Sequence, residues 1–211
     1  MKLNKVLALA LSGVMAVSML AGCSNNTNGG KDEQTPATGI VAAVNNGQSA
    51  DNKVKVTFTA DATLDAQLSK AVAACAEKAD ASEVQTVLKG IIGKDTVALT
   101  STPLTLGGEF QPDNTNTVKT GDKIVGVRVF QVSANYTEAA AMKEIAEQVN
   151  SITSKLVENS ARNNYQIGWK YVAYDYAGTV SMMQTTALDG TTNYYAAIVI
   201  TNTCTLKTVT A

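Results

Sequence analysis

The side chain with the clearest chemistry is the thiol of Cys23, which stands just after an apolar N-terminal stretch. A cysteine reacts as its thiolate, so it is the residue type that an S-alkylation requires. Lys2 and Lys5 precede the apolar stretch, which runs from residue 6 to residue 19, and small residues lead from it into the cysteine. Positive charge, apolar core and small residues in this order predict a secretory signal that is cleaved next to Cys23.

The residues at the predicted cleavage site resemble the lipobox of bacterial lipoproteins, in which a Leu-like residue and two small residues precede a lipidated cysteine: Leu20, Ala21, Gly22 and Cys23. The resemblance covers residues 1–23. It implies cleavage before Cys23, a covalent diacylglyceryl group on its sulfur, and anchoring in the lipid of a bacterial cell membrane, facing outside the cytoplasm. The alternative is an uncleaved transmembrane helix, but the apolar stretch is shorter than the roughly 20 residues that a span requires.

Composition limits the partners of the mature chain. Cleavage takes 22 of the 211 residues and two lysines from a chain of formal charge −1, which leaves 189 residues at −3. Arg128 and Arg162 are the only arginines. We expect one domain with a tether, and no nucleic-acid partner, since nucleic-acid binders carry basic patches. Cys75 and Cys204 could form a disulfide outside the cytoplasm, or could be small buried residues that never meet.

Apolar periodicity predicts a single α+β domain, with an antiparallel sheet and helices packed on one face. Residues 23–50 are predicted to be the lipidated N-terminus and a flexible tether, and residues 51–211 the extracytoplasmic domain. The predicted order is β-α-α-β-β-α-β-β-β, with strands at 53–59, 96–100, 123–134, 166–176, 179–186 and 194–206, and helices from 63, from 82 and over 137–160. Gly178 and Asp189-Gly190 are the predicted turns between the last three strands.

The sequence contains no histidine, which narrows the enzymatic options. It excludes the Ser-His and Cys-His nucleophile arrangements and His-based metal sites, and no metal or further cofactor is expected. Paired carboxylates remain as a route to catalysis, since a glycan hydrolase needs two of them about 5–10 Å apart. The candidates near loops and element ends are Asp61, Asp65, Glu109, Asp122, Asp175 and Asp189.

Aromatic residues concentrate in the C-terminal strands and form a candidate binding surface: Trp169, Tyr171, Tyr174, Tyr176, Tyr194 and Tyr195. Aromatic rings stack on sugars and anchor protein partners. Alternation along a strand places Trp169 and Tyr171 on one face and Tyr174 and Tyr176 on the other. One pair is expected in the core and the other at the surface, and ordinary cross-strand packing is the alternative for the whole set.

The favoured function is a non-enzymatic lipoprotein that binds an envelope glycan or another envelope protein. One alternative is a carboxylate-dependent glycan hydrolase. Another is a structural subunit that assembles through the apolar stripe of the helix at 137–160, whose members are Met142, Ile145, Val149, Ile152 and Leu156. The same stripe could pack on the sheet within the chain, which its small number of heptads favours.

Overall fold

The computed structural model describes residues 39–76, 79–133, 135–160, 163–165, 168–186, 190 and 192–209, so the predicted signal and Cys23 lie outside the described residues. The described residues form one mixed α+β domain. Its elements are α1 (Ile40–Asn46), β1 (Thr57–Thr59), α2 (Ala62–Ala73), α3 (Ala81–Ile92), β2 (Val97–Ala98), β3 (Lys123–Ser133), α4 (Glu138–Thr153), β4 (Asn163–Tyr165), β5 (Gly168–Thr186) and β6 (Thr192–Val209).

The sheet is mixed, so the predicted all-antiparallel arrangement is wrong. Its strand order is β1-β5-β6-β3-β2, with β4 paired to β5 outside this path. The central pairs β5–β6 and β6–β3 are antiparallel, whereas the short edge strands β1 and β2 run parallel to β5 and β3. Residues 99–122 connect β2 to β3, and a connection of that length allows the chain to cross over and return in the parallel direction.

The two longest strands form one continuous hairpin. β5 and β6 stay in register from Trp169 opposite Val209 to Thr186 opposite Thr192. Gly178 therefore lies inside β5, and the predicted turn at that residue is wrong. Glycine at position 178 allows Phe58 to pack closely against the strand, because a Cβ there would lie 2.5 Å from Cδ1 of Phe58. Gly190, by contrast, is at the hairpin tip with a φ of 82°, as its predicted turn requires.

Helices cover both faces of the sheet, which corrects the prediction of a single covered face. Successive β6 residues alternate between two cores: Tyr194 and Ala196 pack with α1 and α4, while Tyr195 and Ala197 pack with α2 and α3. We call these the α1–α4 core and the α2–α3 core. Since neighbouring residues of a strand point to opposite faces, the two cores lie on opposite sides of the sheet.

The fold begins before the predicted boundary at residue 51, because α1 belongs to it. Ile40 and Val44 are buried in the α1–α4 core. Asn45 of α1 also pairs with β1 as a neighbouring strand would: its Nδ2 donates to the Phe58 carbonyl (2.9 Å) and its Oδ1 accepts from the Phe58 N–H (2.8 Å). These bonds cover part of the outer edge of β1, which would otherwise be open to another chain.

The apolar stripe of α4 is used inside the molecule. Thr137 caps the helix, its Oγ1 accepting from the Ala140 N–H, and the helix ends at Thr153 and not at the predicted residue 160. Ile145, Val149 and Leu156 are fully buried in the α1–α4 core. The prediction of packing within the chain is confirmed, and an assembly that uses this stripe would have to unpack the core.

Candidate functional site

Tyr174 and Tyr176, predicted members of a binding surface, are buried in the α1–α4 core and have structural partners. The Tyr174 hydroxyl donates to the Pro112 carbonyl (2.9 Å). The Tyr176 hydroxyl contacts Oε1 of the buried Gln111 (3.0 Å) and the Val157 carbonyl (3.1 Å). Burial raises the pKa of both tyrosines well above the usual value, so both stay neutral donors. The contacts of these two hydroxyl groups with Pro112 and Gln111 hold the connection at residues 99–122 against the sheet.

Tyr194 and Tyr195 are also buried, one on each side of β6. The Tyr195 hydroxyl donates to the Ala79 carbonyl (2.6 Å) and accepts from Nε2 of Gln131 (3.2 Å). Burial is again the main cause that raises its pKa. The binding-surface prediction is therefore wrong for these two tyrosines as well, because helices cover both faces at their level of the sheet.

Tyr171 and Trp169 belong to the opposite alternating set of β5 residues from Tyr174 and Tyr176, on the other face of the strand. Tyr171 is half-buried and pairs with Lys207 across the hairpin. The backbone of Trp169 pairs with Asn164 and Val209, and its side chain lies outside the described residues. Tyr171 lies on the opposite face of β5 from the buried Tyr174 and Tyr176, as the alternation predicts.

Tyr171 lies on a large uncovered area of the sheet, which we call the open face. It continues the side that α2 and α3 cover at the hairpin tip, and it extends beyond both helices along β1, β5, β6 and β3. None of its described side chains is buried. Its members, from register and exposure, are Thr57, Thr59, Lys123, Val125, Tyr171, Ala173, Asp175, Ala177, Thr179, Thr201, Thr203, Thr205 and Lys207.

Threonine is the commonest residue type on the open face: Thr201, Thr203 and Thr205 alternate along β6, and Thr59 and Thr179 lie side by side on β1 and β5. Thr57, Ala177 and Thr201 stand side by side on β1, β5 and β6. With about 3.3 Å per residue and about 4.8 Å between strands, the face is roughly 26 Å long and 14 Å wide. A flat area of this size presents hydroxyl donors and acceptors on a rigid backbone. The alternation Thr201-x-Thr203-x-Thr205, between buried Asn202 and Cys204, is the sequence signal that would have revealed it.

The carboxylates singled out from the sequence have different settings. Asp175 is exposed on the open face, in the same row as Thr203 and Lys123. Asp61 caps α2 by accepting from the Thr63 N–H (2.8 Å), and Asp122 accepts from the Lys119 N–H (2.7 Å). Asp65 lies in the first turn of α2, Glu109 is exposed in the connection, and Asp189 lies outside the described residues. Asp175 is thus the candidate that the strand register places among possible ligand contacts.

The two cysteines of the domain are free, so of the two alternatives the structure supports cysteines that never meet and not a disulfide. Cys204 is buried in the α1–α4 core, whereas Cys75 packs against the α2–α3 core. The sheet separates them. Burial and then Asp122 raise the pKa of Cys204 to about 11, and burial and then Glu83 raise that of Cys75. Both thiols are held in their unreactive protonated form at neutral pH.

In the part of the chain that the structure describes, no three His, Cys, Asp or Glu side chains are grouped as a metal ion would require. No helix there is long and apolar enough to cross a membrane. Comparisons with protein-family models, curated proteins and solved structures found no match to this chain. Inference of function therefore depends on the chain's own chemistry.

Proposed function

We propose that this chain is a membrane-anchored extracytoplasmic lipoprotein whose domain binds an envelope glycan without catalysis, on the open face. The single observation that carries the proposal is the absence of burial along the described open face, although the same strands are fully covered nearby. Cys23 would hold the domain at the membrane surface, and the predicted tether would let it reach the glycan.

The composition of the open face favours a sugar over a protein partner. The buried centres of protein interfaces are apolar and depleted in charge. On this face, Thr57, Thr201 and Thr203 present hydroxyl groups, and charges of both signs lie among them. A glycan offers many hydroxyl groups, which suit such donors and acceptors, and its ring faces suit the ring of Tyr171.

Co-sedimentation with insoluble cell-wall glycan tests this proposal on the full lipidated chain in detergent. Tyr171→Thr removes the ring and keeps a good strand former, so the fold should persist. We expect it to weaken glycan binding by about tenfold or more, as for an aromatic anchor. Tyr136→Thr is the matched control, since Tyr136 is 44% exposed and outside the open face.

Two results would contradict the proposal. Equal glycan binding by the wild type, the Tyr171→Thr variant and the Tyr136→Thr variant would show that the glycan does not bind on the open face. Release of reducing sugar by the wild type, lost in Asp175→Asn, would instead favour the glycan hydrolase, because Asp175 is a carboxylate on this face.

The anchor has its own test, in which Cys75→Ala is the control for Cys23→Ala. We expect palmitate labelling of whole cells to disappear in Cys23→Ala, because the thiolate is the group that is alkylated. Labelling should persist in Cys75→Ala. Full labelling of the Cys23→Ala variant would overturn the lipoprotein assignment and leave the glycan test unaffected.

A further inference from the structure

A concave site lies on the opposite side of the sheet from the open face. It is a cleft of about 240 Å³ between the edge of β3, the start of the 99–122 connection and the last turns of α4. Arg128 and Lys155 supply its cations, and Ser101, Gln148 and Ser151 supply neutral polar groups. Phe130 forms part of its apolar floor.

The cations of this cleft have no counterion among the described residues. Arg128 is half-buried on β3 and makes no ion pair or side-chain hydrogen bond within the described part of the chain, and Lys155 makes no ion pair there. No carboxylate is among the residues that line the cleft. Two acidic groups of α4 lie within about one turn of the cleft residues, and both have partners on the helix: Glu144 accepts from Nε2 of Gln148 (3.1 Å), and Glu147 pairs with Lys143 (3.9 Å). A bound anion would offset the repulsion between the two cations that share the cleft.

The walls of the cleft are held in place before any ligand arrives. The Leu99 N–H donates to the Val127 carbonyl (2.9 Å), which ties the start of the connection to β3. On the opposite wall, Ser151 Oγ donates to the Gln148 carbonyl (2.7 Å) within α4. A site whose walls are already ordered loses less conformational entropy on binding.

The size of the cleft limits its occupant. A volume of about 240 Å³ corresponds to about eight water molecules and falls below the range of drug-sized ligand sites. The guanidinium group of arginine matches a carboxylate with two parallel hydrogen bonds. We propose that this cleft binds a small monocarboxylic acid, whose carboxylate pairs with Arg128 and Lys155 and whose short apolar body lies against Phe130.

Equilibrium dialysis of the full lipidated chain in detergent against labelled butyrate tests the proposal. Butyramide, the neutral amide of the same shape, and inorganic phosphate are the comparison ligands. We expect butyrate to bind saturably with a Kd on the order of 1 mM. Butyramide and phosphate should bind at least about tenfold more weakly. Binding of phosphate alone, or no saturable binding of butyrate, would overturn the proposal.

Three variants locate the binding. Arg128→Gln should weaken butyrate binding by about tenfold or more, because it removes a charge-assisted pair. Lys155→Gln should weaken it less, and since Lys155 is exposed this variant keeps the test valid if Arg128→Gln fails to fold. Lys143→Gln, on the same helix but outside the cleft and paired with Glu147, should change nothing. Equal affinity in Lys155→Gln and Lys143→Gln would contradict the assignment, whatever the glycan test shows.

Discussion

One side of the sheet contains two regions built from the same strands, and they differ in what covers them. At the hairpin tip, α2 and α3 bury Val129, Tyr195 and Ala197, which are at most 1% exposed. Further along the same strands, on the open face, no described side chain of that parity is buried. Strand geometry is the same in both regions, so coverage by helices alone decides which residue types each region needs.

The residue types show that the uncovered region is adapted to exposure. Threonine has nearly the shape of valine and a similar preference for strands, but it carries a hydroxyl group. Along β6, the covered positions carry Tyr195 and Ala197, and the uncovered positions carry Thr201, Thr203 and Thr205. This change from buried to hydroxyl-bearing exposed side chains is expected of a surface that contacts water or a polar ligand.

Loss of a core side chain should give the largest difference between the regions. Leu68→Ala removes a fully buried side chain from the α2–α3 core, and we expect it to lower the free energy of unfolding by about 2–5 kcal/mol. Thr203→Val on the open face should change it by about 0.5 kcal/mol or less. Urea unfolding measures both, and equal losses would mean that the open face is covered in solution.

Adjacent residues of β5 offer a second comparison, of intermediate size. Gly178→Ala would push a Cβ against Phe58 and Val56, so we expect a loss of about 1–3 kcal/mol. The side chain of residue 177 points to the open face, so Ala177→Thr should change the free energy of unfolding by no more than about 0.5 kcal/mol. Thermal unfolding of the two variants checks this, and a destabilising Ala177→Thr would contradict the assigned register.

Removing a tyrosine hydroxyl group on this side of the sheet should change the free energy of unfolding by a smaller amount. Tyr195→Phe removes the donor to the Ala79 carbonyl and should cost about 1 kcal/mol or slightly more, because that carbonyl loses its partner. Tyr171→Phe on the open face should leave stability unchanged and keep the ring for glycan binding. A measurable stability loss in Tyr171→Phe would show that its hydroxyl serves the fold.

Alkaline pH should reveal an effect that is absent at neutral pH. The pKa of Cys204 is raised to about 11, and those of Tyr174 and Tyr176 are raised as well, mainly by burial. Because these pKa values are raised, the folded state keeps these protons up to a higher pH than the unfolded state does. The stabilisation is complete below the unfolded pKa values and is lost as pH rises through the folded ones.

Unfolding free energy measured between pH 9 and pH 11 should therefore fall with pH. Tyr176→Phe removes one titrating group from the core and should make this fall less steep, even though it loses at every pH the hydrogen bond that the hydroxyl donates to Gln111 Oε1 or the Val157 carbonyl. An unchanged or steeper pH dependence in that variant would contradict the buried setting of Tyr176.

The sequence was sufficient for much of the fold. The α+β class, the long strand at 123–133 and the apolar stripe of α4 follow from strong periodicity over many residues. The short helix α1 was missed because seven residues carry too little periodicity. The second helical layer was missed although Val127 and Val129 on one side of β3, and Phe130 and Val132 on the other, already indicated two covered faces.

The candidate sites were harder to predict because they depend on coverage by distant segments. The buried tyrosines and Tyr171 look alike in sequence, and only the placement of the connection at 99–122 and of α2 and α3 separates them. Arg128 and Lys155 are far apart along the chain, and they line one cleft only because α4 packs beside β3. The register of the hairpin, once known, orders every position on the open face.

The most direct test of the glycan-binding face is hydroxyl-radical footprinting of the full chain with and without soluble cell-wall glycan. The method reads the solvent exposure of individual side chains. We expect glycan to slow the oxidation of Tyr171, while exposed Tyr136 and buried Met183 keep their rates. An unchanged rate at Tyr171 under conditions where the glycan is bound would contradict binding on the open face.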